Sequence, residues 1–145
     1  MAKLLNLQIS NITSQEVAEQ EIVNLGNVVR KYCMANACGI PTFTFANGTN
    51  SVTFNQAGYY KVDVNATFSS ATPGVGTLEL YANGMPLSQA LASETITTAN
   101  TELRSIAFST TIRVLPNAPV TISLVNTSTI PLTIEPVTVN VVKIC

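Results

Sequence analysis

Gly58-Tyr59-Tyr60-Lys61-Val62-Asp63-Val64-Asn65-Ala66-Thr67-Phe68 decides the fold. In an extended chain Tyr60, Val62, Val64, Ala66 and Phe68 share one face, and Lys61, Asp63, Asn65 and Thr67 share the other. That alternation predicts a strand with one buried face. A helix would scatter the same apolar residues around its whole circumference. On the N-terminal side lies Val52-Thr53-Phe54, and before it Thr42-Phe43-Thr44-Phe45 alternates into the hairpin-type turn Asn47-Gly48. On the C-terminal side Pro73-Gly74 breaks the strand. Thr77-Leu78-Glu79-Leu80-Tyr81 then alternates again and ends at a second hairpin signal, Asn83-Gly84. Residues 105–115 read as a long strand stopped by Pro116. Residues 120–125 and 133–144 give two more, with Pro131 and Pro136 marking an irregular entry.

About eight to ten antiparallel strands in one domain predict an all-β jelly-roll sandwich. The jelly roll is expected over residues 14–145. Within it, residues 14–32 are ambiguous: Val17, Ile22, Leu25, Val28 and Val29 partly fit helical spacing. Gly26 interrupts that pattern and Val28-Val29 prefers a strand, so a turn followed by a strand over 22–31 is the favoured reading. Residues 1–13 stand apart. Leu4, Leu5, Leu7 and Ile9 make this segment too apolar for a free tail. It reads either as a docking arm for a larger assembly or as an extra edge strand of the same domain.

Only 10% of the 145 residues are charged, against about 25% in an ordinary domain. With 46% hydrophobic residues and a mean hydropathy of +0.31, the surface must be made of hydroxyls and amides, partly hidden between subunits. Net charge is −1 and the Lys and Arg residues are scattered along the chain. No basic stripe exists for a phosphate backbone, so no nucleic-acid partner is expected. The apolar runs fall far short of the ~20 residues of a membrane span, and no membrane insertion is expected. Residues 1–6 lack the ~7–15-residue apolar region of a secretory signal, which suggests synthesis in a cytoplasm.

Catalytic chemistry finds little purchase. The chain has no His, which removes serine triads and Cys–His pairs of the common kind. Asp63 and Glu79 lie on neighbouring expected strands and could approach the ~5–10 Å separation of a glycosidase pair, but solvated strand positions suit them better. Cys33, Cys38 and Cys145 are odd in number and lack CxxC spacing, so they read as structural or incidental thiols rather than metal ligands. No calcium-loop spacing or phosphate-binding glycine loop occurs. No catalytic, metal-ligating or cofactor-binding residue is therefore expected, and the chain reads as a non-enzyme. Four Asn-x-Ser/Thr sequons, at Asn11, Asn47, Asn65 and Asn126, are expected to go unused without a signal peptide.

Phe54-Asn55-Gln56-Ala57-Gly58-Tyr59-Tyr60-Lys61-Val62, the strand to Phe68, and Leu78-Glu79-Leu80-Tyr81-Ala82-Asn83-Gly84 resemble the core of TNF-like and complement-type globular jelly rolls. The preceding Ile22-Val23-Asn24-Leu25-Gly26-Asn27-Val28-Val29-Arg30, the turn Asn83-Gly84-Met85-Pro86 and the closing Val137-Thr138-Val139-Asn140-Val141-Val142-Lys143-Ile144 look like a variant in proteins of bacteria and their tailed phages. The resemblance spans residues 17–144 and lacks a collagen stalk. It implies a homotrimer, with Tyr60, Phe68, Phe108 and Ile112 as trimer-interface or core residues, and apolar inner-sheet positions near the threefold axis. It further implies a structural protein of a phage virion (head fibre, capsid decoration or tail-tip component), assembled in the host cytoplasm and partnered by capsid or other virion proteins. The alternative is a module on a phage or bacterial cell surface that binds a host glycan or protein through loops such as 85–92.

Overall fold

The alternating segments become strands because each can bury one face against a facing sheet. The computed structural model describes residues 5–32 and 42–144, apart from the side chains of Ser88 and Gln89. Eleven strands form among these residues: β1 (Asn6–Asn11), β2 (Gln15–Val17), β3 (Asn27–Tyr32), β4 (Phe43–Thr44), β5 (Ser51–Phe54), β6 (Gly58–Ser69), β7 (Gly74–Ala82), β8 (Met85–Ile96), β9 (Arg104–Val114), β10 (Val120–Asn126) and β11 (Leu132–Lys143). A six-stranded sheet runs β3-β1-β11-β6-β9, with β2 also paired to β11, and a five-stranded sheet runs β4-β5-β10-β7-β8. Every pairing is antiparallel. This is the expected all-β jelly-roll sandwich, with slightly more strands because the short β2 and the long β8 join those read from the alternation.

The core lies between the sheets. Tyr60, Val62, Val64, Ala66 and Phe68 of β6 point inward as their alternation requires, facing Phe54 of β5, Leu78 and Leu80 of β7, and Ile122 and Leu124 of β10. Three aromatic rings fill one end. Phe54 stacks on Tyr60, and Phe43 meets both edge-on, at 5.8 Å and 5.7 Å between centroids. The buried Tyr60 hydroxyl donates to the Gln56 carbonyl at 2.6 Å. Asn83 and Gly84 both have positive φ, as a type I′ hairpin requires. The Asn83 side chain also accepts from the Thr121 N–H at 2.9 Å, pinning the turn to β10.

Several expectations need correction. Residues 6–11 are neither a docking arm nor an edge strand: β1 lies inside the six-stranded sheet, between β3 and β11. Leu7 and Ile9 are buried in the core and Leu5 packs against it. Their period-two spacing serves the sandwich itself, so β1 is part of the domain. Leu4, Cys33, Cys38 and Cys145 lie outside the described residues. The strand expected over 22–31 begins only at Asn27. Gly26 has φ +85°, and a Cβ there would sit 2.2 Å from the Ser10 carbonyl oxygen, so the chain must turn where it passes β1. Ile22 makes only an isolated bridge to Val125. Residues 85–92 are not a loop but the first part of β8, paired with β7.

Asp63 and Glu79 do not pair. Asp63 lies on β6 and Glu79 on β7, in different sheets. Each alternates with buried neighbours, so the two carboxylates point away from the core on opposite sides of the sandwich. The sequon at Asn126 is likewise not a surface feature. Asn126 is buried, and its amide donates to the carbonyls of Val17 (3.0 Å), Ala18 (3.3 Å) and Ile130 (3.1 Å). Its carbonyl accepts from the Ser128 N–H at 3.0 Å and from the Ser128 hydroxyl. This one side chain ties the segment after β2 to the β10–β11 connection.

Candidate functional site: the outer face of the six-stranded sheet

The outward positions of β1, β11, β6 and β9 form rows set by the strand register. One row runs Arg30, Gln8, Asn140, Asp63, Ser109. The next toward the end where β1 begins runs Asn6, Val142, Lys61, Thr111, and beyond it Tyr59 stands opposite Arg113. On the other side Thr138, Asn65 and Ala107 make a row, and Thr67 stands opposite Ser105. Three shallow depressions mark this face. One is lined by Asn65, Thr67, Ser105, Ala107 and Thr138, one by Asp63, Asn65, Ser109 and Asn140, and one by Asn6, Gln8, Arg30, Asp63 and Asn140.

The chemistry of the face is small, polar and nearly uncharged. Thr67 and Ser105 exchange a hydroxyl hydrogen bond at 2.9 Å, and Ser10 and Thr138 one at 3.3 Å. Hydroxyls satisfied by a cross-strand neighbour lose less when water is removed than lone hydroxyls do. The charges on the central rows are the Lys61–Asp63 pair, at 3.9 Å and solvent-exposed, and Arg30 at the rim. Such a pair contributes little to stability. Arg113 sits 5.9 Å from the centre of the Tyr59 ring. The other sheet repeats the hydroxyl theme, with Thr53–Thr121 at 2.9 Å and Thr77–Ser93 at 2.7 Å.

The residues singled out from the sequence fall elsewhere. Tyr60, Phe68 and Ile112 are buried in the core, and Phe108 is half-buried against it from the edge strand β9. None of the four lies on the outer face, because each belongs to the inward phase of its strand. The outer-face residues Asn65, Thr67, Ala107 and Thr138 went unread as a group. The signal that could have found them is the polar phase of the same alternation, Lys61-Asp63-Asn65-Thr67, repeated on β9 as Ser105-Ala107-Ser109-Thr111. The expectation of apolar positions near a threefold axis is not matched by a continuous apolar outer face. Tyr59, Val142 and Ile144 are apolar at one end of it, and Ala107 and Pro136 stand apart from them. Among the described residues no group of three or more His, Cys, Asp and Glu side chains comes together, and no helix is long and apolar enough to cross a membrane.

No protein-family model matches the chain, and no curated protein matches it in sequence. Solved structures do match in fold. The globular domain of zebrafish complement 1qA protein superposes with a TM-score of 0.64 at 12% identity, over 94% of each chain. Eiger TNF from S. frugiperda gives 0.67 at 8% identity, over 99% of this chain and 94% of that one. Murine APRIL gives 0.65 at 9% identity, over 98% and 100%. The chain therefore has the two-sheet jelly-roll fold shared by these TNF-like and complement 1q-like domains.

Proposed function

We propose that this chain is a non-catalytic structural protein that assembles as a homotrimer, with the outer face of the six-stranded sheet buried between subunits, and that it builds part of a phage virion. One observation carries the assembly: the central rows of that face, from Gln8 across Asn140 and Asn65 to Ala107 and Ser109, bear one mutually paired Lys–Asp couple and otherwise only small neutral side chains. A face with prepaired hydroxyls and few charges loses little on dehydration. The jelly-roll fold supports the trimer. The virion role rests on the likeness of residues 22–30 and the Asn83-Gly84-Met85-Pro86 turn to phage and bacterial variants.

Light scattering at high salt tests the assembly. The expected mass is three times 15.4 kDa. Ala107→Arg, which places an unpaired charge in the middle of the face, should leave a folded monomer by circular dichroism. A wild-type monomer at high salt would overturn the trimer. Antibody labelling of purified particles tests the virion role, and particles free of the chain would overturn it.

A second reading, a host-glycan or host-protein module, draws on the depression between Arg30, Gln8, Asn140 and Asp63, whose amides, carboxylate and guanidinium suit hydroxyl-rich ligands. It needs this face open. Glycan binding lost in Asn140→Ala, with the protein monomeric, would favour it over the trimer.

A further inference from the structure

The net charge of −1 conceals a segregation that only the fold creates. At the end of the sandwich where β1 begins and β11 finishes stand Arg30 and Lys31 on β3, Lys61 on β6, Arg113 on β9 and Lys143 on β11. At the opposite end stand Glu16 on β2, Glu19 and Glu21 just beyond it, Glu94 late in β8 and Glu135 early in β11. All are exposed except Lys143, which is half-buried. Among the described residues only two ion pairs form: Lys61–Asp63, which partly offsets one cation of the basic end, and Arg104–Glu102, which is self-contained at the acidic end and leaves Glu16, Glu19, Glu21, Glu94 and Glu135 outside any ion pair.

The two ends cannot neutralise each other within one copy. Eight residues of extended chain separate Glu135 from Lys143 on the same strand, a span of about 25 Å. Screening at physiological salt acts over about 8 Å. Each end therefore presents a field of one predominant sign to whatever approaches it. Exposed apolar side chains sit at the same two ends. Ile12 (77% exposed) and Leu103 (68%) lie at the acidic end, and Met85 (69%), Leu115 and Ile144 at the basic end. Apolar centres with charged surroundings of opposite sign are the components of a specific contact.

We propose that copies of this chain associate end to end, the basic end of one sandwich against the acidic end of the next. The two ends complement each other: five cations on one, Lys61 among them sharing Asp63, and five carboxylates outside any ion pair on the other. A contact between two different surfaces of the same chain is head-to-tail, and it propagates into a rod or closes into a ring. It joins strand ends rather than sheet faces, with Arg30, Lys61 and Arg113 reaching it from the outer face at that end, and adds a second direction of assembly to the trimer proposed above.

Sedimentation velocity at about 20 mM and about 0.5 M salt tests it, since the lower concentration lengthens the screening distance several-fold. The expected result is a species at low salt whose mass is a multiple of the high-salt mass and which dissociates when salt is added. Arg30→Glu with Lys31→Glu should remain at the high-salt mass under both conditions. Glu19→Lys with Glu21→Lys should do the same. Mixing these two variants at low salt should restore the larger species, which a merely misfolded variant could not do. A mass that ignores salt would overturn the proposal, as would charge-reversed variants that assemble like the wild type. Chains that stay apart at low salt but sediment with phosphatidylserine vesicles would assign the basic end to an anionic lipid surface instead. The high-salt mass alone reports the trimer, so failure of either assembly is seen separately.

Discussion

The rings of Phe54 and Tyr60 lie parallel, with 5° between their planes and 4.7 Å between their centroids. Phe54 ends β5 and Tyr60 is the third residue of β6, so this stack joins the two sheets across the short connection between them. Burial pushes the Tyr60 phenol up to about 12, because the charged form would lose its hydration. A raised acid contributes stability that is fully present below the ordinary tyrosine value of about 10 and is lost as pH rises through 12. Ultraviolet titration of the phenolates should therefore show a late component that is missing in Tyr60→Phe. That variant also loses the hydrogen bond to Gln56 and should melt at lower temperature, by an amount matching about 1 kcal/mol.

Asn126→Ala should be among the most destabilising single changes. It removes a buried amide that serves the carbonyls of Val17, Ala18 and Ile130. Leaving such groups unpaired costs about 1–3 kcal/mol, which lowers the melting temperature by up to about 10 °C in a domain of this size. Calorimetry measures the shift. A change no larger than that of Asn65→Ala would show that Asn126 is dispensable.

Gly76 faces Phe68 so closely that a Cβ would lie 2.4 Å from its ring. Gly76→Ala should destabilise the fold by about 1–3 kcal/mol through overpacking. The double variant Gly76→Ala with Phe68→Leu should recover part of that loss, and chemical denaturation compares the two.

Deletion of residues 1–11 should abolish folding, because it removes β1 from between β3 and β11. Circular dichroism and solubility of the truncated chain check this. A folded product would mean that β3 can close directly on β11.

Glu102 accepts hydrogen bonds from the backbone N–H groups of Thr97 (2.5 Å) and Thr98 (2.9 Å), and the Arg104 guanidinium donates to it as well. These bonds, the backbone ones foremost, hold its carboxyl down at about 2. A depressed acid contributes stability above its unfolded value, here 4.5, and loses it as pH falls through about 2. Carboxyl chemical shifts followed down to pH 2 should show Glu102 titrating at the bottom of that range. In Glu102→Ala the amides of Thr97 and Thr98 should exchange with solvent faster than in the wild type.

The sequence by itself determined the strongly alternating strands and their inward faces, though not β8, whose residues carry no such pattern. The alternation of 60–68 sets which side chains meet the core whatever the sheet pairing, and Asn83-Gly84 sets a hairpin through backbone sterics alone. These are local rules, legible one segment at a time. The tertiary structure decided everything that depends on which strands become neighbours. It took Leu7 and Ile9 into the interior of a sheet, because β1 pairs with residues some 130 positions away, Val139 and Val141 among them. It turned Asn126 from a sequon into a buried clamp, since the carbonyls it serves belong to segments over a hundred residues earlier as well as nearby. It placed Asp63 and Glu79 on opposite faces by sending consecutive strands to different sheets. The chain order scatters the cations and carboxylates. Antiparallel pairing returns the beginnings of some strands to the ends of others, and so gathers most cations at one pole of the molecule and most carboxylates at the other.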